Sequence, residues 1–415
     1  MASSASNFSI SSSSSSPGLP LPPSSSSSIA PKILLAKPGS TSTESPANLR
    51  SRLPSVGSLN LLSDSWDFHI DRILPFLTEN TDFTVIGVIG TPGCGKSTIM
   101  NELYGYFDAT SSGMLPPFAI QSEETKAMGK HCTSGIEPRI STERLILLDT
   151  QPLFSPSVLA EMMRPDGSST IPLLNGEPLS ADLAHELIGI QLGTFLASIC
   201  HVLLVVTEGV HDTNMWNLML TVDLLKHGIP DPSSSTLSHS QGVNLVTEKE
   251  MNNNLQRSGD DHLASPIFVH TNFFIRLEDQ DLAPHKVLRL RKRLAQYFSS
   301  SSFMRLNHGS TSKERICPVS APDIKINDLG LRELSLVLLP YRNQDDTEGA
   351  QYESFNTMLG KLRDQVLSMT CQSFARTVSE REWLRNSARI WDIVKKSPIF
   401  AEYGKTLQNS GMFRS

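Results

Sequence analysis

Residues 85–100 read VIGVIGTPGCGKSTIM, and their interpretation decides how the rest of the chain is understood. An apolar run of strand length ends at Gly90 in the spacing G-x-x-x-x-G-K-S, and a helical pattern follows Ser97. Each residue type in this loop has a physical task. Glycines let backbone N–H groups wrap phosphate oxygens, and the following helix N-terminus favours their charge. A lysine reaches the outer phosphates, and a serine hydroxyl can ligate Mg²⁺. Gly90, Pro92, Gly93, Cys94, Gly95, Lys96, Ser97 and Thr98 are therefore the candidate phosphate-binding residues. A glycine-rich turn without a ligand is the rival reading, and the strand-to-helix context argues against it.

Composition narrows the partners. The chain has 415 residues, 39% of them hydrophobic, enough for an ordinary buried core. No apolar run approaches the roughly 18 residues that suggest a membrane span, so no membrane partner is expected. A net charge of −6 argues against direct nucleic-acid binding, because phosphate-neutralising surfaces are usually basic. Cys94, Cys132, Cys200, Cys317 and Cys371 are scattered and form no C-x-x-C pair, which indicates a reducing compartment and no zinc site.

The chain divides by composition. Residues 1–58 are dominated by Ser and Pro and are expected to be disordered. A Ser-rich head with no acidic residue before Glu44 also has the character of a transit peptide, which keeps a chloroplast location open beside a cytoplasmic one. Residues 59–80 carry apolar side chains at helical spacing and are expected to form a helix. Strand and helix patterns then alternate. Strands are expected at 81–90, 144–150, 201–209, 266–274 and 314–322, and helices at 96–107, 180–200, 213–228 and 284–298. The segment 228–265 lacks periodicity and reads as a disordered insertion. This alternation implies an α/β fold with a doubly wound, mostly parallel sheet over 59–345, and the two helical patterns within 346–415 imply a C-terminal helical extension.

Asp149 ends the strand RLILLDT and is the natural carboxylate to hold magnesium near the phosphate loop, although a strand-terminal Asp can also be a plain turn residue. The order of elements resembles the small GTPase fold. In that fold an Asp-x-x-Gly turn follows, with Gln one residue later, and here Asp149-Thr150-Gln151-Pro152-Leu153 stands instead. Thr133 is the candidate switch threonine completing the metal shell with Ser97 and Asp149, or else a structural threonine before a strand. The guanine-reading Asn-Lys-x-Asp signature is reduced to Asn272-Phe273-Phe274-Ile275, while Ser320-Ala321 matches the last base-side motif. Asn272, Ser320 and Ala321 are thus the base-side candidates. A purine nucleotide, ATP or GTP/GDP, with Mg²⁺ is the expected ligand. Proline has no N–H to offer a terminal phosphate, and leucine cannot orient an attacking water, so hydrolysis is expected to be slow or absent. Gln151 is the one neighbour that could substitute.

VIGVIGTPGCGKSTIM, TSGIEPRISTERLILLDTQPLFSPSVL, ASICHVLLVV, KLRDQVLSM and ARIWDIVKKSPIFAEY together look like the SMG-nine family of nonsense-mediated mRNA decay factors. The resemblance covers most of 60–405. It implies a GTPase-like regulatory subunit that pairs with SMG-eight and binds the SMG-one kinase, which phosphorylates UPF-one, and it favours a cytoplasmic, non-enzymatic role. Two other classes stay open on the residues alone: an active P-loop NTPase, perhaps organellar, and a nucleotide kinase using the basic helix KVLRLRKRL as a lid.

Overall fold

The computed structural model describes residues 59–63, 65–106, 115–164, 173–174, 177–209, 212–234, 237, 262–273, 283–306, 334–340, 354–369 and 373–410. The expected disordered head, the strand at 314–322, Ser320 and Ala321 lie outside them.

The apolar run before the phosphate loop is β1, Thr84–Gly90, and it lies inside a six-stranded sheet of order β2-β3-β1-β6-β7-β8. β3 (Leu145–Thr150), β6 (Val202–Glu208), β7 (Ser265–Phe273) and β8 (Ser335–Pro340) all run parallel to β1. The edge strand β2 (Ile136–Ile140) is antiparallel to β3. Two-residue strands β4 (Leu173–Leu174) and β5 (Glu177–Pro178) form a separate small pair. In register, Val88 lies beside Leu204, and Leu204 beside Ile267. The central strands are thus apolar on both faces, as a covered parallel sheet requires.

Alternate residues of each strand feed two different cores. Val85 and Ile89 join Leu203, Val205 and Phe268 in the larger one, while Ile86 and Val88 join Leu204, Val206 and Val269 in the smaller. The chain begins its helices with α1 (Ile70–Ile73) and α2 (Lys96–Tyr104), continues through α3 (Glu123–Ala127) and α4 (Pro156–Met162), and then α5 (Ala181–Ile199) and α6 (Thr213–Leu225). Next come α7 (Ala283–Tyr297), α8 (Phe303–Leu306), α9 (Phe355–Ser368), α10 (Glu380–Lys396) and α11 (Pro398–Asn409). α5, α6, α7 and α10 cover the larger core; α2 and α9 cover the smaller. The C-terminal helical extension therefore serves both faces of the sheet. In α10, Trp383 and Trp391 are buried and donate their indole N–H groups to the carbonyls of Ile199 and Trp66, at 2.9 and 3.0 Å.

Two sequence expectations are corrected. Residues 59–80 are not one helix: Leu61 and Leu62 are buried, Leu62 bridges to Phe68 and Ile136, and only Ile70–Ile73 with a 3₁₀ turn at Leu74–Phe76 is helical. Its apolar spacing reflects an extended stretch lying along β2, and Trp66 at φ +63° breaks any helix there. The ends of the 228–265 segment also pack into the core, through buried Ile229, Asp231, Ser233 and His262. Ser233 is held by Arg376, and Pro232 by the Asn386 amide. No helix among the described residues is long and apolar enough to cross a membrane.

Candidate functional site

Strand β1 delivers its last residue to the loop under tight steric control. A Cβ on Gly90 would lie 2.1 Å from the Val206 carbonyl oxygen, so only glycine fits between β1 and β6. Gly93 and Gly95 then take φ values of +73° and +91°, and Gly95 caps α2. Thr271, at the end of β7, donates its hydroxyl to the Cys94 carbonyl at 3.0 Å and to Thr207 O at 3.2 Å, tying the loop to the sheet. Cys94 is buried, and burial pushes its thiol pKa up, away from reactivity. Lys96 is 7% exposed and donates to the carbonyls of Gly90 and Thr91, both at 3.1 Å.

The loop forms one wall of a pocket of about 470 Å³. Pro92, Gly93, Gly95, Lys96, Ser97 and Thr98 line that side, and Thr133, Thr150 and Pro152 close its floor. Two of the metal candidates, Ser97 and Thr133, line this pocket, and both reach the third, Asp149, which is buried and not part of the lining. Ser97 and Thr133 donate their hydroxyls to Oδ2 of Asp149 at 2.7 and 2.9 Å, although 52 and 16 positions separate them from it in sequence. Asp149 is fully buried, and its Oδ1 has no hydrogen-bond partner among the described residues. Burial raises its carboxyl pKa, against the opposing pull of Lys96 and the two hydroxyls. A buried carboxylate oxygen without a donor beside two hydroxyl oxygens is a hard-oxygen donor set of the kind Mg²⁺ accepts. No group of three or more His, Cys, Asp or Glu among the described residues gathers around a metal position, so the remaining ligands would have to come from phosphate and water.

The turn after Asp149 is built for structure. Gln151 donates its backbone N–H to Gly135 O at 2.9 Å and accepts the Gly135 N–H on Oε1 at 3.0 Å. Gly135 needs this clamp: it sits at φ +61°, and a Cβ there would meet Leu62 O at 1.9 Å. The Gln151 side chain is thereby committed away from the pocket. Leu153 sends its N–H to Gly90 O at 3.0 Å and buries its side chain in the larger core. Pro152 is the residue of this turn that faces the pocket beside Thr150.

Asn272 stands next to Thr271 at φ +55° and donates its amide to Glu208 at 2.8 Å; it does not line the pocket. Sequence reasoning missed Thr271, whose role depends on β7 ending beside the loop. It also missed His131 and Ser157, which line the same pocket as Lys96. They stand 26 positions apart, in no pattern.

No family model matches the chain. Curated proteins do. The chain is similar to factors named SMG9. It is 28% identical over 368 residues to the nonsense-mediated mRNA decay factor SMG9 of Xenopus laevis, a match covering 83% of this chain and 66% of that protein. The corresponding figures for the Salmo salar factor are 27% over 372 residues, 84% and 67%. Drosophila melanogaster protein SMG9 is 31% identical over 150 residues, 32% of this chain and 26% of that one. The chain thus spans about two thirds of the length of the vertebrate relatives it matches.

Proposed function

We infer that this chain is a nucleotide-binding regulatory subunit of nonsense-mediated mRNA decay, with hydrolysis slow or absent. The observation that carries the nucleotide reading is the convergence of Ser97 and Thr133, which line the pocket with Lys96, on the buried Asp149, whose Oδ1 has no hydrogen-bond partner among the described residues. Lys96 and the loop N–H groups would hold the phosphates of ATP or GTP/GDP, and Ser97, Thr133 and Asp149 would hold an Mg²⁺ whose charge offsets theirs. Gln151 and Leu153 are both engaged in the fold, so neither positions a water for attack. The bound nucleotide then stabilises the subunit by mass action.

The decay role rests on the similarity to SMG9 factors along 83–84% of the chain. Its partners in this reading are an SMG-eight-type GTPase-like subunit and the SMG-one kinase, in the cytoplasm, with no direct contact to nucleic acid or membrane. Native mass spectrometry of the chain alone and with an SMG-eight-type subunit tests both halves at once. Co-purified or added purine nucleotide at one per chain, and a one-to-one complex, are expected. A chain that takes up neither ATP nor GTP refutes the nucleotide half, and one that stays alone refutes the partner half.

A further inference from the structure

The pocket lining outside the phosphate loop contains a chain of hydrogen bonds that nucleotide binding does not require. His131 places Nδ1 2.8 Å from Ser157 Oγ. Its other ring nitrogen, Nε2, lies 3.3 Å from Oε2 of Glu161. A carboxylate only accepts, so in the neutral ring Nε2 carries the hydrogen and Nδ1 is left to accept from the Ser157 hydroxyl. Ser155 Oγ sits 2.8 Å from Ser157 Oγ and fixes the same oxygen from a second side. The contact with His131 is the chief cause holding the Glu161 carboxyl below the usual range.

The backbone here is shaped at a cost. Phe154 takes φ +53°, a conformation that bulky side chains rarely adopt. On one side of it Leu153 is buried in the core; on the other, Ser155 and Ser157 face the pocket. A hydroxyl bonded to an imidazole that a carboxylate orients is the arrangement that activates a serine nucleophile. Its electrophile must lie in the same pocket, which Lys96, Ser97 and Thr133 also line.

We propose that Ser157 is a phosphoryl acceptor. With a nucleoside triphosphate in the pocket, Ser157 Oγ attacks the terminal phosphorus while His131 Nδ1 takes the hydroxyl proton. The bond between that phosphorus and the bridging oxygen breaks, its electron pair leaves with the nucleoside diphosphate, and the chain carries one phosphoserine. His131 then returns the proton to water. Water is the rival acceptor, but Gln151 and Leu153 do not hold one, whereas Ser157 is already fixed by two hydrogen bonds. The event occurs once per chain and is compatible with negligible steady-state turnover. It rests on the nucleotide reading above.

The test uses the full chain, pretreated with phosphatase, incubated with Mg²⁺ and ATP or GTP while calorimetry on the same sample records binding. Peptide mapping is expected to find one phosphoryl group at Ser157, absent in Ser157→Ala and Lys96→Ala. Transfer should slow roughly 10²–10⁴-fold in His131→Asn, the usual contribution of a positioned base. Glu161→Gln, at a half-exposed position outside the pocket lining, should slow it less, and thermal melting of each variant separates loss of the base from loss of the fold. In a second arm without nucleotide, a fluorophosphonate ester is expected to label Ser157 faster than Ser155, and more slowly in His131→Asn. Binding without phosphoserine at residue 157, or transfer indifferent to His131→Asn, overturns the proposal and leaves the nucleotide reading intact. Failure to bind either nucleotide overturns both, and an unlabelled Ser157 shows that the histidine does not activate it.

Discussion

The two walls of the pocket are made of different material. The phosphate-loop wall is backbone: Gly90, Gly93 and Gly95 shape it, and Thr271 pins it to the sheet through a carbonyl. The other wall, drawn from Ala119–Gln121, Lys130–Cys132 and Ser155–Ser157, is richer in polar residues such as Gln121, Lys130, His131 and Ser157. A backbone wall recognises any polyphosphate and tolerates almost no change in its glycines. A side-chain wall can change its chemistry one residue at a time.

The largest effect that would test this contrast is Gly90→Ala. Its Cβ has no room beside Val206 O, so the strand pair must part, with a loss of roughly 3 kcal/mol or more in urea unfolding. An alanine variant of wild-type stability would mean that the wall is plastic. Lys96→Ala comes next. One charge-assisted contact contributes roughly 1.5–3 kcal/mol, so the dissociation constant for nucleotide should rise on the order of 10- to 150-fold by calorimetry, with the fold retained. Unchanged affinity would remove the loop from the binding site.

Gln151→Ala leaves the Gly135 N–H buried without its acceptor and should cost about 1–3 kcal/mol of stability. Nucleotide affinity should hardly move. A loss of affinity without a loss of stability would show that Gln151 reaches the ligand after all. Pro152→Gly returns a backbone donor to the pocket and should raise the preference for triphosphate over diphosphate by about tenfold. Equal selectivity in the two proteins would place Pro152 away from the terminal phosphate.

The smallest effect expected is a pH dependence. Burial raises the Asp149 carboxyl in the folded chain above its unfolded value. The ligand-free fold therefore holds that proton where the unfolded chain has released it, and Asp149 makes stability fall as pH rises from the ordinary carboxylate range through the raised value. Asp149→Asn should flatten that fall while weakening Mg²⁺-dependent nucleotide binding. A dependence that survives the substitution belongs to another group.

How much of this was legible in the sequence follows the same division. The strand, glycine loop and helix over 84–104 could be read because that turn fixes residue types at fixed spacing, and the nearness of Asp149 to Ser97 because a parallel strand carries its end to that loop. β2 was hidden by Pro138 and Arg139, which suit an edge strand and weaken its signal. β8, Ser335–Pro340, is a continuous apolar run without alternation, which periodicity alone does not tell from a buried helix segment. The misread segment 59–80 shows the limit of periodicity: Leu61, Leu62 and Trp66 are apolar because β2 and α10 need them, at spacings that happen to suit a helix. His131, Ser157 and Glu161 carried no signal, since only the fold brings the loop before β2 against α4.

The Glu380 carboxylate at the start of α10 is fully buried and accepts hydrogen bonds from both the backbone N–H and the hydroxyl of Thr78, 302 positions earlier, while Arg144 lies 3.2 Å from its other oxygen. During synthesis at roughly 5–20 residues per second, Thr78 is added to the chain on the order of 15–60 s before Glu380. α5 is complete at Ile199, on the order of 9–36 s before Glu380 is added, and until then its surface that will receive Trp383 and Trp391 waits without α10. The nascent protein is therefore a client for chaperones that hold exposed apolar surface, and a stalled or shortened chain lacking α10 would leave as an aggregation-prone species.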